Sequence, residues 1–276
     1  MSDKLKIELG EVQQTLLFPL LGRAREYESA NPLIKDSLAH ELVGKLDFDF
    51  GSMTDSAAQL QINCSVRTYN FDAAIRALIE THPDATIVNL GCGLDTTFQR
   101  VDNGRIFWYD LDFEDTIALR RRLLPEGDRN KLIPKSLFDR SWFADIRIRG
   151  SKIFFMCAGV LAYLKEEDIR GLFLDLSREF PGSEMMFEIY SKRIIWLKNR
   201  SVEKQRRNGE IVTQLRWGAG SAEEIAKWGG HIGILGTYPF YSKVELDAHW
   251  AKRDSRPLKL IRLLGWMKMV HLKLGA

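Results

Sequence analysis

The sequence predicts an α/β fold on a parallel sheet, and three observations predict it. Short strand-like apolar runs alternate with amphipathic helices through most of the chain. The first of those strands, within ATIVNLGCGLDTTF, stops abruptly on Gly91-Cys92-Gly93, as a chain does where its backbone must bend tightly or let a ligand approach. The 276 residues, 45% of them hydrophobic, can fill one large core, and no internal repeat or low-complexity linker divides them.

The elements follow in order. Residues 12 to 60 read as helical and irregular, with Leu38, Leu42 and Leu46 at helical spacing, a polar patch from Asp47 to Asp55, and no strand signal. Phe71, Ala74, Ile75, Leu78 and Ile79 mark one face of a helix that His82-Pro83 stops. Strand-like 86 to 90 comes next, then a helix after the glycines, then the aromatic-rich strand 105 to 111. A helix at about 114 to 124, a short strand near Leu132 to Pro134 and the apolar run Ile153 to Cys157 continue the alternation. Ile169, Leu172, Phe173, Leu176 and Phe180 line a second amphipathic helix, ended by Pro181-Gly182 and followed by a strand from Met185 to Tyr190. Strands separated by helices pair in parallel through right-handed crossovers. Residues 192 to 208 are too charged for a core strand and fit a helix and loop over the sheet's edge. Ser221 with Glu224 reads as a capping box for a helix ending at Gly229-Gly230. Strands at 232 to 237 and 270 to 274, with Leu258 to Met267 helical between them, complete the pattern.

Composition narrows the function. Forty Lys and Arg against 37 Asp and Glu leave a net charge of +3, too small and dispersed for a nucleic-acid footprint. Cys64, Cys92 and Cys157 lie far apart and match no metal-ligand spacing, which fits reduced core thiols in a cytosol. The opening MSDKLKIELGEVQQ has no apolar signal core, and no run of about 18 apolar residues occurs. A cytoplasmic protein without a membrane span is expected. The basic stretch Lys259 to Lys273 fits a packed amphipathic helix better than one lying on a membrane surface.

The glycine turn carries the chemistry. In open α/β sheets ligands sit beyond the strands' carboxyl ends, and an acidic residue about 20 positions past the turn accepts ribose hydroxyls. Asp112 stands 21 residues after Gly91, since 112 − 91 = 21, and Asp110 shares its face of the strand. A nucleoside cofactor is the inference, against the plainer reading of a tight turn with two incidental aspartates. A dinucleotide needs a third glycine where this chain has Thr96. A cofactor without phosphates tolerates threonine there, and S-adenosylmethionine is such a compound. Its amino-acid carboxylate needs a cation, for which Arg67 is the candidate, unless Arg67 simply pairs with Asp72.

Five stretches carry a resemblance: SVRTYNFDAAI (65 to 75), VNLGCGLDTTFQR (88 to 100), FWYDLDFEDTIALRR (107 to 121), SLFDRSWF (136 to 143) and AGVLAYLKEEDI (158 to 169). In order and spacing they resemble the leucine carboxyl methyltransferase family, in particular its bacterial branch of polyketide O-methyltransferases, from about residue 12 to the C-terminus. The resemblance implies a class I S-adenosylmethionine-dependent methyltransferase with a seven-stranded sheet ordered 3-2-1-4-5-7-6. It also implies a helical cap over residues 1–60 on a catalytic unit of 61–276. Arg67 would hold the cofactor's carboxylate, Gly91 would lie beneath its methionine part, Gly93 would also border the cofactor, and Asp112 would take the ribose hydroxyls. Ser136 and Leu137 would flank the adenine, although Ser136 equally fits a strand end. Family members often carry Glu where this chain has Ala158, at the start of Ala158-Gly159-Val160-Leu161-Ala162-Tyr163. Losing that carboxylate beside the cofactor's amino group costs roughly 1.5 to 3 kcal/mol, one charged hydrogen bond. Tyr163 lies nearest the expected transfer point and is the tentative catalytic residue, with a core tyrosine as the alternative.

The expected activity is methyl transfer from S-adenosylmethionine, releasing S-adenosylhomocysteine, to a carboxylate or hydroxyl of a small molecule, without a metal. A carboxylate is ionised at neutral pH whereas a phenol with a pKa near 10 benefits from a base, and none of His40, His82, His231, His249 and His271 falls in a motif that supplies one. The segment 192 to 217 and the cap are expected to shape the acceptor pocket, with Trp196, Trp217 and Tyr241 as candidate lining. The rival readings are a catalytically silent cofactor-binding protein and an NAD-dependent oxidoreductase. The sequence leaves the oligomeric state open.

Overall fold

The computed structural model describes residues 4–6, 16–52, 57–150, 152–207, 214–229 and 231–275. Seven strands form one sheet: β1 (Thr86–Leu90), β2 (Phe107–Asp112), β3 (Asn130–Pro134), β4 (Ile153–Cys157), β5 (Glu184–Tyr190), β6 (Gly233–Pro239) and β7 (Met267–Lys273). Their spatial order is β3-β2-β1-β4-β5-β7-β6, the order the resemblance implies. Five strands run parallel. The expectation of parallel pairing throughout fails at the end, because β7 lies antiparallel to both β5 and β6.

Ten α-helices accompany the sheet among the described residues: α1 (Leu17–Tyr27), α2 (Ser37–Lys45), α3 (Ala57–Thr81), α4 (Thr97–Val101), α5 (Glu114–Leu123), α6 (Glu166–Glu179), α7 (Lys192–Arg207), α8 (Ala222–Ala226), α9 (Leu246–His249) and α10 (Lys252–Leu263). Strand β1 is buried along its whole length, as a central parallel strand covered on both faces must be. Alternation along the strands splits the core. Val88, Phe155 and Phe187 face α6 through Ile169, Leu172, Phe173 and Leu176. Ile87, Phe154 and Met186 face α3 through Ile62, Val66, Phe71 and Ile75. Helix α6 opens on Glu166, Glu167 and Asp168 and carries Arg178 in its last turn, charges that complement the helix dipole.

The sequence reading holds for the central elements and shifts at several edges. Helix α3 begins at Ala57 and runs through residues 60 and 61, and the chain beside it forms a two-residue parallel ladder, Leu5–Lys6 with Leu46–Asp47, where no strand was expected. Ser221 makes no side-chain cap to α8; instead the Glu224 carboxylate accepts from the Gly220 N–H. Helix α10 ends at Leu263 rather than Met267, because Gly265 adopts φ +60 and reverses the chain into β7. Residues 12–15 and 53–56, the 208–213 part of the charged insert, and Gly230 lie outside the described residues. Among the described residues, no helix is long and apolar enough to cross a membrane.

Candidate functional site

The glycine turn is built by conformations that only glycine adopts freely. Gly91 has φ +70 and Gly93 φ +47. The N–H groups of Gly91 and Cys92 both donate to the Leu111 carbonyl, at 2.8 and 3.1 Å, which ties the turn to β2. A Cβ on residue 91 would meet Val160 Cγ2 at 2.5 Å. Asp112, at the end of β2, accepts from the Gly93 N–H at Oδ2 and from the Phe113 N–H at Oδ1, both 2.8 Å. Each oxygen keeps lone-pair capacity for a hydroxyl. Burial raises the Asp112 pKa against those two hydrogen bonds.

Asp110 points to the same face but serves the scaffold. Its carboxylate accepts from Arg120 Nη2 at 2.7 Å, Trp108 Nε1 at 2.8 Å and Asn89 Nδ2 at 3.1 Å. Arg120 Nη1 then reaches back to the carbonyls of Gly93 and Asp95, at 3.1 and 2.6 Å, and holds the loop. A second buried carboxylate, Asp36, joins the loop to helices α1 and α2. It accepts from Arg23 Nε and Arg100 Nη1 at 2.9 Å and from the Thr96 hydroxyl at 2.6 Å, while Arg23 Nη2 donates to the Leu94 carbonyl at 2.8 Å. Burial opposes ionisation of Asp36, but the two guanidinium groups outweigh it and its pKa falls. Thr96, which stands where a third glycine is absent, has therefore been recruited into this network.

Arg67 stands on α3 facing the end of β5. The expected alternative partner, Asp72, belongs to Arg100 instead, at 2.8 and 2.9 Å. Arg67 Nε lies 2.9 Å from Glu188 Oε1, a distance that makes an ion pair, yet the angle is too poor for a hydrogen bond and both Glu188 oxygens lack any hydrogen-bond partner. Arg67 Nη2 donates to the Tyr190 hydroxyl at 3.1 Å. Nη1 borders Gly159, where a Cβ would come within 2.9 Å of it. Lys198, on α7, places its Nζ 5.2 Å from the centre of the Tyr190 ring and forms no salt bridge among the described residues. Burial and the Arg67 charge lower its pKa to about 8.

The remaining predicted residues follow the carboxyl ends of β3 and β4. Ala158 and Gly159 follow β4 directly, and Tyr163 closes the short turn after them, its N–H on the Val160 carbonyl at 3.0 Å. Tyr163 is 39% exposed, so it is no core tyrosine. Ser136 and Leu137 follow β3; the Ser136 hydroxyl accepts from the Phe138 N–H at 3.2 Å, and Leu137 is buried. Two of the candidate acceptor-pocket aromatics are corrected: Trp217 is 3% exposed and packs against Trp228, and Tyr241 is fully buried and donates to Asn63 Oδ1. Trp196 remains exposed, with Arg200 over its ring. The insert sits over the sheet's carboxyl edge, since Arg216 and Trp217 N–H groups donate to the Ala162 carbonyl at 2.7 and 3.1 Å, and Asn199 brackets Leu215 through both its N–H and its carbonyl. The three cysteines are buried, and burial raises their pKa values.

Glu188, Asp36, Arg100 and Arg120 escaped the sequence reading. A signal existed for Glu188, an acid inside the apolar run MMFEIY. Arg120 hides within Arg120-Arg121-Arg122, which reads as a solvated run although the first of the three is 1% exposed.

An adenosyl amino acid suits these groups: a carboxylate at the end of β2 with spare acceptor capacity, a turn with no Cβ at residues 91 and 93, and at the α3–β5 corner a cation beside a carboxylate that accepts no hydrogen bond. The fold is that of a class I methyltransferase, and the family and relatives the chain matches make it one that uses S-adenosylmethionine. The leucine carboxyl methyltransferase model matches residues 17–177, and the chain belongs to that family. It is 31% identical over 183 residues to the tetracenomycin polyketide synthesis O-methyltransferase TcmP of Streptomyces glaucescens, covering 66% of this chain and 67% of that one. It is 26% identical over 234 residues, 78% of each chain, to the S-adenosyl-L-methionine-dependent methyltransferase dpfgK of Gibberella zeae. Among solved structures, a DUF574 family protein from Streptomyces avermitilis shares the fold, with TM-score 0.57, 15% identity, and coverage of 90% of this chain and 99% of that one.

Proposed function

We propose that the protein transfers a methyl group from S-adenosylmethionine to a carboxylate or hydroxyl oxygen of a small molecule of polyketide type. The similarity to a polyketide O-methyltransferase supports an oxygen acceptor. The observation that carries the reading is the crevice itself, with Asp112 and the glycine turn at one end and Arg67 at the other. When bound, the cofactor supplies a methyl group on a sulfonium, whose charge disappears on transfer. The chain's part is to align the reactants and exclude water. In this reading Arg67 pairs with the cofactor's carboxylate, Asp112 accepts the ribose hydroxyls, and Gly91, Gly93 and Ala158 leave room between them. Ser136 and Leu137 flank the adenine. Tyr163, at the mouth of the turn after β4, touches the acceptor, and the cap of residues 1–60 with the 192–217 insert encloses it.

The charge balance supports an anionic oxygen at transfer. With the cofactor bound, Arg67, Lys198 and the cofactor's ammonium and sulfonium are four positive charges against two carboxylates, Glu188 and the cofactor's own, so an acceptor anion offsets part of the excess. A carboxylate arrives ionised and needs no base. Titration calorimetry with S-adenosylhomocysteine tests the cofactor site: micromolar binding is expected, and no heat at millimolar ligand would end the reading. The silent-protein alternative is favoured by one observation, Ala158 in place of a carboxylate. Radiolabelled methyl appearing on an organic acid or phenol from cell extract separates the two.

A further inference from the structure

We propose that Glu188 holds the α-ammonium group of the cofactor's methionine part, so that the carboxylate missing at residue 158 is supplied from the neighbouring strand. The inference rests on the cofactor reading above. Cys157 pairs with Phe187 across the parallel ladder of β4 and β5, and continuing that register by one residue sets 158 beside 188. Even-numbered residues of β5 share the face toward α3, as Met186 and Tyr190 show by packing in that half of the core. Glu188 therefore faces the same side as Arg67.

Its carboxylate is 3% exposed and accepts no hydrogen bond at either oxygen. A buried carboxylate left so is costly, because burying a charge is tolerated only with both a counter-charge and hydrogen bonds. Arg67 supplies the counter-charge at 2.9 Å but no aligned N–H. The missing partner must be a donor, and an ammonium is a donor with three N–H groups. An amino acid presents a carboxylate and an ammonium two bonds apart on one carbon, which matches an Arg67–Glu188 pair set side by side. Gly159 keeps the approach open, since a Cβ there would press on Arg67 Nη1. An isolated role as the counter-ion of Arg67 would be met better by a bidentate pair, which this geometry is not.

The test is calorimetry with S-adenosylhomocysteine and its desamino analogue, which keeps the carboxylate and lacks only the amine. The wild-type protein should bind S-adenosylhomocysteine at least tenfold tighter than the desamino compound, and E188Q should shrink that ratio below about threefold by weakening only the amine-bearing ligand. E188D, which keeps the charge, should retain part of the ratio. A wild-type protein that binds both ligands equally overturns the proposal without any variant, and so does an E188Q protein that keeps the full ratio, which would leave Glu188 as a support for Arg67. Absence of S-adenosylhomocysteine binding would instead remove the cofactor reading itself.

Discussion

Two groups of buried charges flank the same crevice, and they are built in opposite ways. Around the glycine turn, Asp110, Arg120, Asp36 and Arg100 form a network in which each carboxylate accepts several aligned hydrogen bonds, with Arg120 Nε left without one. At the corner of α3, β5 and α7, Arg67, Glu188 and Lys198 lie close together with few aligned contacts, and Glu188 has none. A satisfied buried network rigidifies its surroundings, while a partly satisfied one is energetically expensive until something completes it. The first group is scaffold that shapes the turn; the second is the corner to which the proposed reading assigns the cofactor's charges.

The largest expected effect sharpens that contrast on the scaffold side. Replacing Asp110 and Arg120 together by Leu and Met strands the Trp108, Asn89, Gly93 and Asp95 groups they serve, and Arg120→Met alone leaves a buried carboxylate without its counter-ion. Urea unfolding should show a loss of about 3–5 kcal/mol for the single variant. On the corner side, the double variant Arg67→Met with Glu188→Met removes a poorly bonded ion pair, a change often neutral or stabilising. Its unfolding free energy should stay within about 1 kcal/mol of wild type, while S-adenosylhomocysteine binding is lost by calorimetry. A double variant as unstable as the Arg120 variant would break the comparison.

Gly91→Ala should cost about 1–3 kcal/mol, because alanine at φ +70 is strained and its Cβ meets Val160. Adding Val160→Ala should recover the steric part of that loss in thermal melts. The smallest effect is a pH dependence. Lys198 has a folded pKa of about 8 against an ordinary 10.5, so burying its ammonium penalises the folded state fully below pH 8. That penalty is released as pH rises from 8 toward 10.5, where only the unfolded chain still binds the proton. Wild type should therefore gain stability relative to Lys198→Met across that window, in denaturant titrations at fixed salt; a constant difference would place Lys198 in water.

The central strands and the glycine turn were legible in the sequence because their signals are local. TIVNL carries Ile87, Val88 and Leu90 and is rich in β-branched residues, and Gly91 and Gly93 take positive φ that favours glycine. Spacing alone singles out Asp112 as a ribose-binding candidate, whereas Asp110, two residues away and on the same face, is bonded to Arg120 of the next helix and serves the scaffold. The alternative that Arg67 pairs with Asp72 fails for a similar reason. Asp72 is near in sequence, but Arg67 and Asp72 are five residues apart on α3, beyond the three or four that bring side chains together, and Glu188 reaches Arg67 only through the tertiary packing of α3 on β5. Trp217 and Tyr241 looked like pocket residues because aromatic character does not distinguish core from cleft.

The central claim is that the cofactor's amino-acid end lies in the corner between α3 and β5 while its sugar lies at the end of β2. A crystal structure of the protein grown with S-adenosylhomocysteine tests it most directly. The account predicts the ribose hydroxyls on Asp112 and the ligand's carboxylate within hydrogen-bond reach of Arg67. A ribose seated on Asp112 with the homocysteine tail turned away from Arg67 and Glu188 would contradict it.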